Sequence, residues 1–586
     1  MQTQNSSLRW RFTSIGAAFA LVGVVIFFQL VRIQISPQAE TFRQQSDLYA
    51  GVWKTLDPAR GQIYDRWGHL LAANRTVYQI GVELQFVQDP ESIAFAMQVV
   101  LGEDYEEMLA LSDPERNPAQ VYAVLADYVP ADKVLELQQF AEEMTGTFGE
   151  NQPVRDLTGL IPTPHLQRSY PENDLASNVL GFVSREGRGY FGIEEKYNDL
   201  LSGVSKTIWM PTDPNQIEAL PEISPGASLI LTIDRGIQEM VENVLDKNVD
   251  FWGAESGTVL VMDPQTGEIL AMASTNRVNL NEYWKFGEQI GGQTPFNKSI
   301  GQDYEPGSVF KVLTLAAALD AGAVKPETEF LDTGLIEVGG AQIRNWNWGA
   351  WGPQNMTGCM QHSLNVCLTW IATQLGSKQF YEYMHAFGLG HSTGIDLSGE
   401  VVGRLRLPGD ANWYAADLAT NSFGQGLSVT PVQMLMAISA LANDGEMVVP
   451  HVLLGMVNNG HQYNPPPQIA GYPISAETAQ TITELLAVSL ESEASNALVE
   501  GYRVAGKTGT AEIPTPYGYT SDKTNTSFVG WGPVDDPQFL VYVWLEKPSN
   551  SIWGSEVASP IFSEIVQRLV VLLNIPPDGV QIGFNP

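Results

Sequence analysis

The sequence predicts an α+β protein carried on a single N-terminal membrane helix, and three observations lead there. Phe12 to Val31 is a run of 20 residues without a charge. Pro211 to Ala227 (PTDPNQIEALPEISPGA) is dense in proline. Beyond that break, strand patterns give way to a long stretch of helical ones and then return as two strands and an apolar helix. That order is expected of an antiparallel sheet covered by helices. At 586 residues the chain exceeds one ordinary core, so more than one folded unit is expected.

The elements follow in order. A helix needs about 20 apolar residues to cross roughly 30 Å of hydrocarbon, and residues 12–31 supply them. A cleaved signal peptide would have a shorter apolar region followed by a small-x-small site. Here the run leads instead into Arg32 and then Ser36-Pro37-Gln38-Ala39. Arg9 and Arg11 precede the run and only Arg32 follows closely, which places residues 1–11 in the cytoplasm and the rest of the chain outside. Residues 32–210 form a unit of mixed character. Within it lies an acidic insert near residues 90–146, expected to be helical through VYAVLADYV and KVLELQQFAEEM. The prolines of 211–227 prevent a regular helix or central strand, so this segment reads as a linker.

Residues 228–586 form the largest unit. Ser228 to Ile233 reads as a strand, and Asp234 can cap the helix IQEMVENVL. TVLVMD and EILAMA flank Pro264-Gln265-Thr266-Gly267 as a hairpin. FVGWGPV and FLVYVWLE form another around Asp535-Asp536-Pro537, and IFSEIVQRLVVLL closes the chain as a helix.

Composition excludes several functions. The formal net charge is -34, from 66 acidic and 32 basic residues, a field that repels phosphate backbones and argues against nucleic-acid binding. The only cysteines are Cys359 and Cys367, too few for a disulfide framework or a four-cysteine zinc site. One local disulfide or two buried thiols both remain open. The seven histidines show no HExxH or paired spacing, so neither metal nor other cofactor is expected.

Three short motifs carry chemistry. In Glu305-Pro306-Gly307-Ser308-Val309-Phe310-Lys311, Pro306 and Gly307 end an extended segment, and VFKVLTLAAALDAG is a helix that stops at Gly322. Ser308 and Lys311 then lie one turn apart on one face. A serine nucleophile needs such a neighbour to take its proton, and a lysine serves if burial or a nearby cation lowers its pKa. The helix start adds partial positive charge for an oxyanion. In Ser363-Leu364-Asn365 a hydroxyl can relay a proton and an amide can hold a substrate carbonyl. Lys507-Thr508-Gly509-Thr510 follows a strand-like VAG, so a substrate backbone can pair along its edge while the lysine and hydroxyls bind a carboxylate. Singly, each triplet reads as an ordinary helix start, loop or turn. Together, in this order and spaced by 55 (308 to 363) and 144 residues (363 to 507), they form a recognised set.

With that set, the chain closely resembles the class B penicillin-binding proteins over nearly its whole length. Arg60-Gly61-Gln62-Ile63-Tyr64-Asp65-Arg66-Trp67-Gly68 looks like that family's R-G-x-I-x-D-R-x-G motif. Arg168-Ser169-Tyr170-Pro171 and Gly192-Ile193-Glu194 look like its later pedestal motifs, and Phe423-Gly424-Gln425-Gly426 with Thr430-Pro431 like the stretch before its third active-site motif. Leu364 fills the variable place of S-x-N, and residues 90–146 find no match. The resemblance implies a transmembrane helix, an elongated pedestal of the dimerisation type over 32–210, and a penicilloyl-serine transferase domain over 228–586.

It also implies roles. Ser308 would attack the penultimate D-alanine carbonyl of a stem peptide ending in D-Ala-D-Ala, with Lys311 as base. Ser363 would relay a proton, Asn365 orient the substrate amide, and Lys507 hold the electrostatics. Thr508 and Thr510 would bind the terminal carboxylate along the Gly509 strand. Backbone N–H groups of Ser308 and Thr510 would form the oxyanion hole, an amine from a second stem peptide would complete the cross-link, and β-lactams would acylate Ser308. The implied partner is a polytopic membrane glycosyltransferase of the shape, elongation, division or sporulation type, and general resemblance favours division. The implied place is the cell membrane, single-pass, with the catalytic domain extracytoplasmic.

Other features weigh less. Gly187–Gly192 matches G-x-G-x-x-G, but FVSRE before it is too short and polar for the strand a nucleotide site requires. His362 adjoins Ser363, but adjacent helical residues do not face each other. Trp346, Trp348 and Trp351 are candidates to border the cleft. The competing functions are a D,D-carboxypeptidase or serine β-lactamase, which needs no long pedestal; a β-lactam sensor, which needs a cytoplasmic effector that about 11 residues cannot supply; and a dead scaffold, against which the intact Ser308, Lys311 and Lys507 speak.

Overall fold

The computed structural model describes residues 5–35, 51–145, 156–211, 221–289, 296–493, 495–515 and 518–578. They fall into two compact units. Met1–Pro58 and Gly203–Pro225 form one. In it Asn5–Ile35 is a continuous helix, and its stretch Trp10–Ile33 is long and apolar enough to cross a membrane. Strands Gly51–Leu56 and Lys206–Pro211 pair antiparallel. Residues 212–220 of the proline-rich segment lie outside the described residues.

Ala59–Ser202 and Gly226–Pro586 form the other unit. Its centre is a five-stranded antiparallel sheet, in the order Ile269–Ser274, Ser256–Met262, Phe539–Glu546, Gly518–Gly532, Ala505–Thr515. Successive side chains of a strand point to opposite faces. In the central strand Phe539, Val541, Val543 and Leu545 therefore join a core with helices Arg235–Trp252 and Gly554–Leu572. Leu540, Tyr542 and Trp544 join a larger core with Val309, Phe310 and Leu313. Burial on both faces is why this strand reads as an unbroken apolar run. Asp234 caps the Arg235–Trp252 helix by accepting from the N–H groups of Gly236 and Ile237.

A second sheet ties the N-terminal motifs to this domain. Ser228–Leu231 lies between Leu453–Asn458, antiparallel, and Ile63–Tyr64, parallel. Ile63–Tyr64 pairs with Leu70–Glu83, which also pairs with Tyr122–Pro130 and Leu160–Ser169. The insert corrects one expectation. Pro90–Leu101, Tyr105–Ser112 and Ala131–Thr145 are helices, but VYAVLADYV is a strand over Tyr122–Pro130. Ala123 and Leu125 are buried between exposed Tyr122 and Val124, a period of two. An irregularity in register opposite Tyr78–Ile80 breaks that alternation towards Val129, so the pattern mimics a helical one.

Three distant motifs converge on one buried carboxylate. Glu194 is fully buried. It accepts from Arg60 Nε at 2.7 Å and from Arg168 Nε at 2.7 Å. Arg60 Nη2 also donates to the Glu194 carbonyl at 3.0 Å, and Arg168 Nη1 to that of Gly61 at 2.7 Å. The glycine-rich run serves the same cluster: Gly189 N–H and Arg60 Nη1 share Asn198 Oδ1. Breaking a buried pair by removing one partner costs about 3–5 kcal/mol, because it leaves a buried charge uncompensated. Glu194→Gln is therefore expected to lower the denaturant midpoint of the full chain in detergent by that amount of stability. An unchanged midpoint would show that the cluster does not hold the unit together.

Candidate active site

The first motif folds as a 3₁₀ turn, Gly307–Phe310, that runs into the helix Lys311–Asp320. The sequence KVLTLAAAL has apolar residues all round, and Lys311 to Ala318 are all buried. Ser308 is half-buried at the turn, and its carbonyl accepts the Lys311 backbone N–H. Gly307 N–H is held by the Gly424 carbonyl at 3.0 Å, which gives the F-G-Q-G stretch its place behind the Ser308 turn. Gly307 has φ +59°, and a Cβ there would lie 2.9 Å from the Thr510 carbonyl oxygen. The turn thus packs directly against the third motif.

The second motif is a turn between helices Met356–Gln361 and Asn365–Leu375. Ser363 has φ +52°, a left-handed conformation that costs a non-glycine residue about 1–3 kcal/mol and persists only where its surroundings impose it. Several contacts impose it. Cys359 and Cys367 form a disulfide across the turn, deciding what the sequence left open. Asn345, almost fully buried, accepts from Val366 N–H at 3.2 Å and donates to Asp332 Oδ2 at 2.8 Å. Trp346 Nε1 donates to the His362 carbonyl at 3.1 Å, and Trp351 stacks on the His362 ring with centroids 3.9 Å apart. Of the three tryptophans, Trp346 and Trp351 therefore support the turn, while Trp348 carries the Arg344 guanidinium over its ring.

Lys311 Nζ meets this turn. It lies 2.7 Å from the Ser363 carbonyl, 3.0 Å from Ser363 Oγ and 2.8 Å from Asn365 Oδ1. The side chain is fully buried, and burial, reinforced by the Lys507 ammonium, holds its pKa well below the ordinary lysine value. A neutral amine fits the three partners. Its two N–H groups match the two oxygens that can only accept, and its lone pair then faces the one partner that can donate, the Ser363 hydroxyl. Among the described residues, none makes a hydrogen bond to Ser308 Oγ, so that hydroxyl is unconstrained at the mouth of the site.

The third motif lies on Ala505–Thr515, the edge strand of the main sheet. Lys507 and Gly509 are buried, while Thr508 and Thr510 are half-exposed. Lys507 Nζ donates to the Thr508 carbonyl at 3.2 Å and lies 3.1 Å from Thr508 Oγ1. Thr510 Oγ1 accepts the Gly554 N–H at 3.0 Å, which leaves its proton available to a carboxylate. Asn365 is likewise half used: Oδ1 meets Lys311 and Nδ2 donates to the Arg344 carbonyl at 3.2 Å. One amide hydrogen and one lone pair remain. Asn345 and Gly554 are supports that sequence reasoning missed, because an asparagine in a loop and a glycine at the start of a helix carry no signal of a contact so distant along the chain.

Comparison with known proteins finds two domain profiles and relatives that cover nearly the whole chain. The profile described as the penicillin binding protein transpeptidase domain matches residues 257–567, and that of the penicillin-binding protein dimerisation domain matches residues 55–218. Stage V sporulation protein D of Bacillus subtilis is 30% identical, over 99% of this chain and 88% of its own length. The peptidoglycan D,D-transpeptidase FtsI of Escherichia coli is 26% identical, over 98% of this chain and 94% of its own. Penicillin binding protein 3 of Mycobacterium tuberculosis, solved in complex with aztreonam, superposes with a TM-score of 0.68 at 25% identity, covering 89% of this chain and 98% of that one.

The depressed pKa of Lys311 has a sign that stability measurements can read. Between its native pKa and the ordinary value of 10.5, the unfolded chain holds a proton that the native chain lacks. Unfolding free energy therefore rises with pH across that window, by up to about 1.4 kcal/mol per unit, and is flat below it. Against Lys311→Met, which does not titrate, the parent is expected to gain stability as pH rises towards 10.5. A difference independent of pH would place Lys311 in an ordinary aqueous environment.

Proposed function

The chain belongs to the class B penicillin-binding proteins, and from that premise we propose that its peptidoglycan D,D-transpeptidase reaction runs through Ser308, with Lys311 as the base. Ser308 Oγ attacks the penultimate D-alanine carbonyl while Lys311 Nζ takes its proton. The Ser308 and Thr510 backbone N–H groups receive the oxyanion. The proton returns to the departing D-alanine through the Ser363 hydroxyl. Asn365 orients the substrate amide with its remaining hydrogen and lone pair. Thr508, Thr510 and Lys507 hold the terminal carboxylate while the peptide backbone lies along Gly509. An amine from a second stem peptide then attacks the ester. β-Lactams resemble the D-alanyl-D-alanine end and acylate the same serine.

One observation carries this reading: a fully buried lysine whose Nζ touches Ser363 and Asn365, one turn from a serine whose hydroxyl makes no hydrogen bond among the described residues. A hydrolase could use the same groups, but the likeness to named D,D-transpeptidases extends over the whole chain, pedestal included. We assign the pedestal to residues 32–210, the linker to 211–227 and the transpeptidase domain to 228–586. The matched spans 55–218 and 257–567 support this division. The apolar helix Trp10–Ile33, with Arg9 and Arg11 before it, supports an anchor whose N-terminus is cytoplasmic. An anchored cross-linking enzyme acts on strands made at the same membrane, which supports a polytopic glycosyltransferase as its partner.

Intact mass spectrometry after incubation with a penicillin tests the assignment. One stable adduct is expected on the parent chain and none on Ser308→Ala. The rate of adduct formation should rise with pH through an apparent pKa below that of ordinary lysine. Penicillin destroyed without an adduct would mark a β-lactamase, and an adduct surviving in Ser308→Ala would remove Ser308 from the reaction.

A further inference from the structure

Beside the backbone contact of Gly307 with Thr510, an aromatic contact joins the helical wall that carries Lys311 and Ser363 to the sheet wall that carries the third motif. Trp346 belongs to the helical wall, where its Nε1 donates to the carbonyl of His362, the residue before Ser363. Trp553 belongs to the sheet wall. Gly554, next in the chain, donates to Thr510 Oγ1, and a Cβ on it would lie 2.1 Å from the Gly509 carbonyl oxygen. The two indoles meet edge to face, with centroids 5.3 Å apart and planes at 70°. They are 49% and 37% exposed, so the contact lies at the surface and not in the core. Trp346 is thus tied to the residue before the second motif, and Trp553 precedes the residue tied to the third, so their contact bridges the two motifs.

We propose that Trp346 and Trp553 form a clasp across the cleft that shields the Ser308 ester from water, so that the acyl group survives until an amine arrives. The inference rests on Ser308 being the nucleophile. Water and an amine compete for one carbonyl. Each adds to it, breaks the bond to Ser308 Oγ and returns a proton to that oxygen, water leaving a carboxylic acid and the amine leaving an amide. Water is always in excess, so a transferase must restrain it. A closed site that excludes water suppresses such hydrolysis. The clasp suits that task. An edge-to-face aromatic pair is attractive beyond its buried area. Trp346 has one polar group, and it is engaged by His362, so that ring offers water no hydrogen bond. Trp346 and Trp553 are specificity-determining residues in this reading, since they act on the choice of acceptor. Trp348, whose exposed ring carries Arg344, stands on the same loop outside the clasp.

The lifetime of the penicilloyl adduct on the full chain in detergent tests the clasp. After excess penicillin is removed, adduct loss is followed by intact mass for the parent, Trp346→Ala, Trp553→Ala, Trp346→Phe and Trp348→Ala. Loss is expected to accelerate several-fold in Trp346→Ala and Trp553→Ala and to match the parent in Trp348→Ala. Trp346→Phe keeps a ring and should fall nearer the parent than Trp346→Ala. Parent-like lifetimes in both clasp alanine variants, with unchanged melting temperatures, would overturn the proposal. If an alanine variant does not fold, Trp553→Leu, which keeps apolar volume without a ring edge, replaces it with the same expectation. A parent chain that forms no adduct would sink the assignment of Ser308 instead, so the two failures are distinguishable.

Discussion

Lys311 carries an ionisable amine into a place where none of its surface meets water. An ammonium buried without partners costs several kcal/mol even after relaxation. The group must therefore be neutral, or surrounded by acceptors, or poised between the two. The cleft supplies the third arrangement. The Ser363 carbonyl and Asn365 Oδ1 stay hydrogen-bonded in either protonation state, and the Ser363 hydroxyl can reverse its role. A proton can then move on or off the amine without repacking. Much of the helical wall follows from this requirement. The left-handed Ser363, the disulfide and Asn345 hold three oxygens around a single nitrogen.

The same rule, that a buried charge must be paired, explains the motifs far upstream of the cleft. Glu194 sits between Arg60 and Arg168. Asp65, fully buried, accepts from the backbone N–H groups of Trp67, His69 and Arg235, the last at the start of the Arg235–Trp252 helix. Burial pushes its carboxyl up, but the hydrogen bonds from His69, Arg235 and Trp67 outweigh that and hold it below the usual value. The Arg60–Glu194–Arg168 cluster therefore ties Ala59–Ser202 together, and Asp65 joins that segment to the Arg235–Trp252 helix.

Much of this was legible in the sequence. The strand, helix and hairpins after Ser228 were readable because each is set by local pattern and turn residues. The three active-site motifs were readable as a set, and the fold brings Lys311, Ser363 and Asn365 within hydrogen-bonding distance. What escaped was non-local or ambiguous in period. VYAVLADYV reads as helical because alanine and leucine favour helices and a register irregularity spoils the alternation of the strand. The Cys359–Cys367 disulfide was undecided because spacing alone does not fix geometry. Asn345 and Trp553 were invisible because their partners lie in other segments of the chain.

The acid–base group and the groups assigned to the carboxylate stand on different walls. Lys311, Ser363 and Asn365 belong to the helical wall, and Thr508 and Thr510 to the edge strand. Their separation is a property of how those walls pack, and a misplacement of about 1 Å is enough to cost a large factor in rate. The contact that fixes this packing is a backbone one, Gly307 against Thr510. A larger residue at Gly307 would force the walls apart without touching a reacting atom. Ser308, on the turn that begins with Gly307, is held to the edge strand by the same approach. The Ser308 turn and the strand that carries Thr508 and Thr510 therefore stay in register with each other, beside an amine that can change its proton.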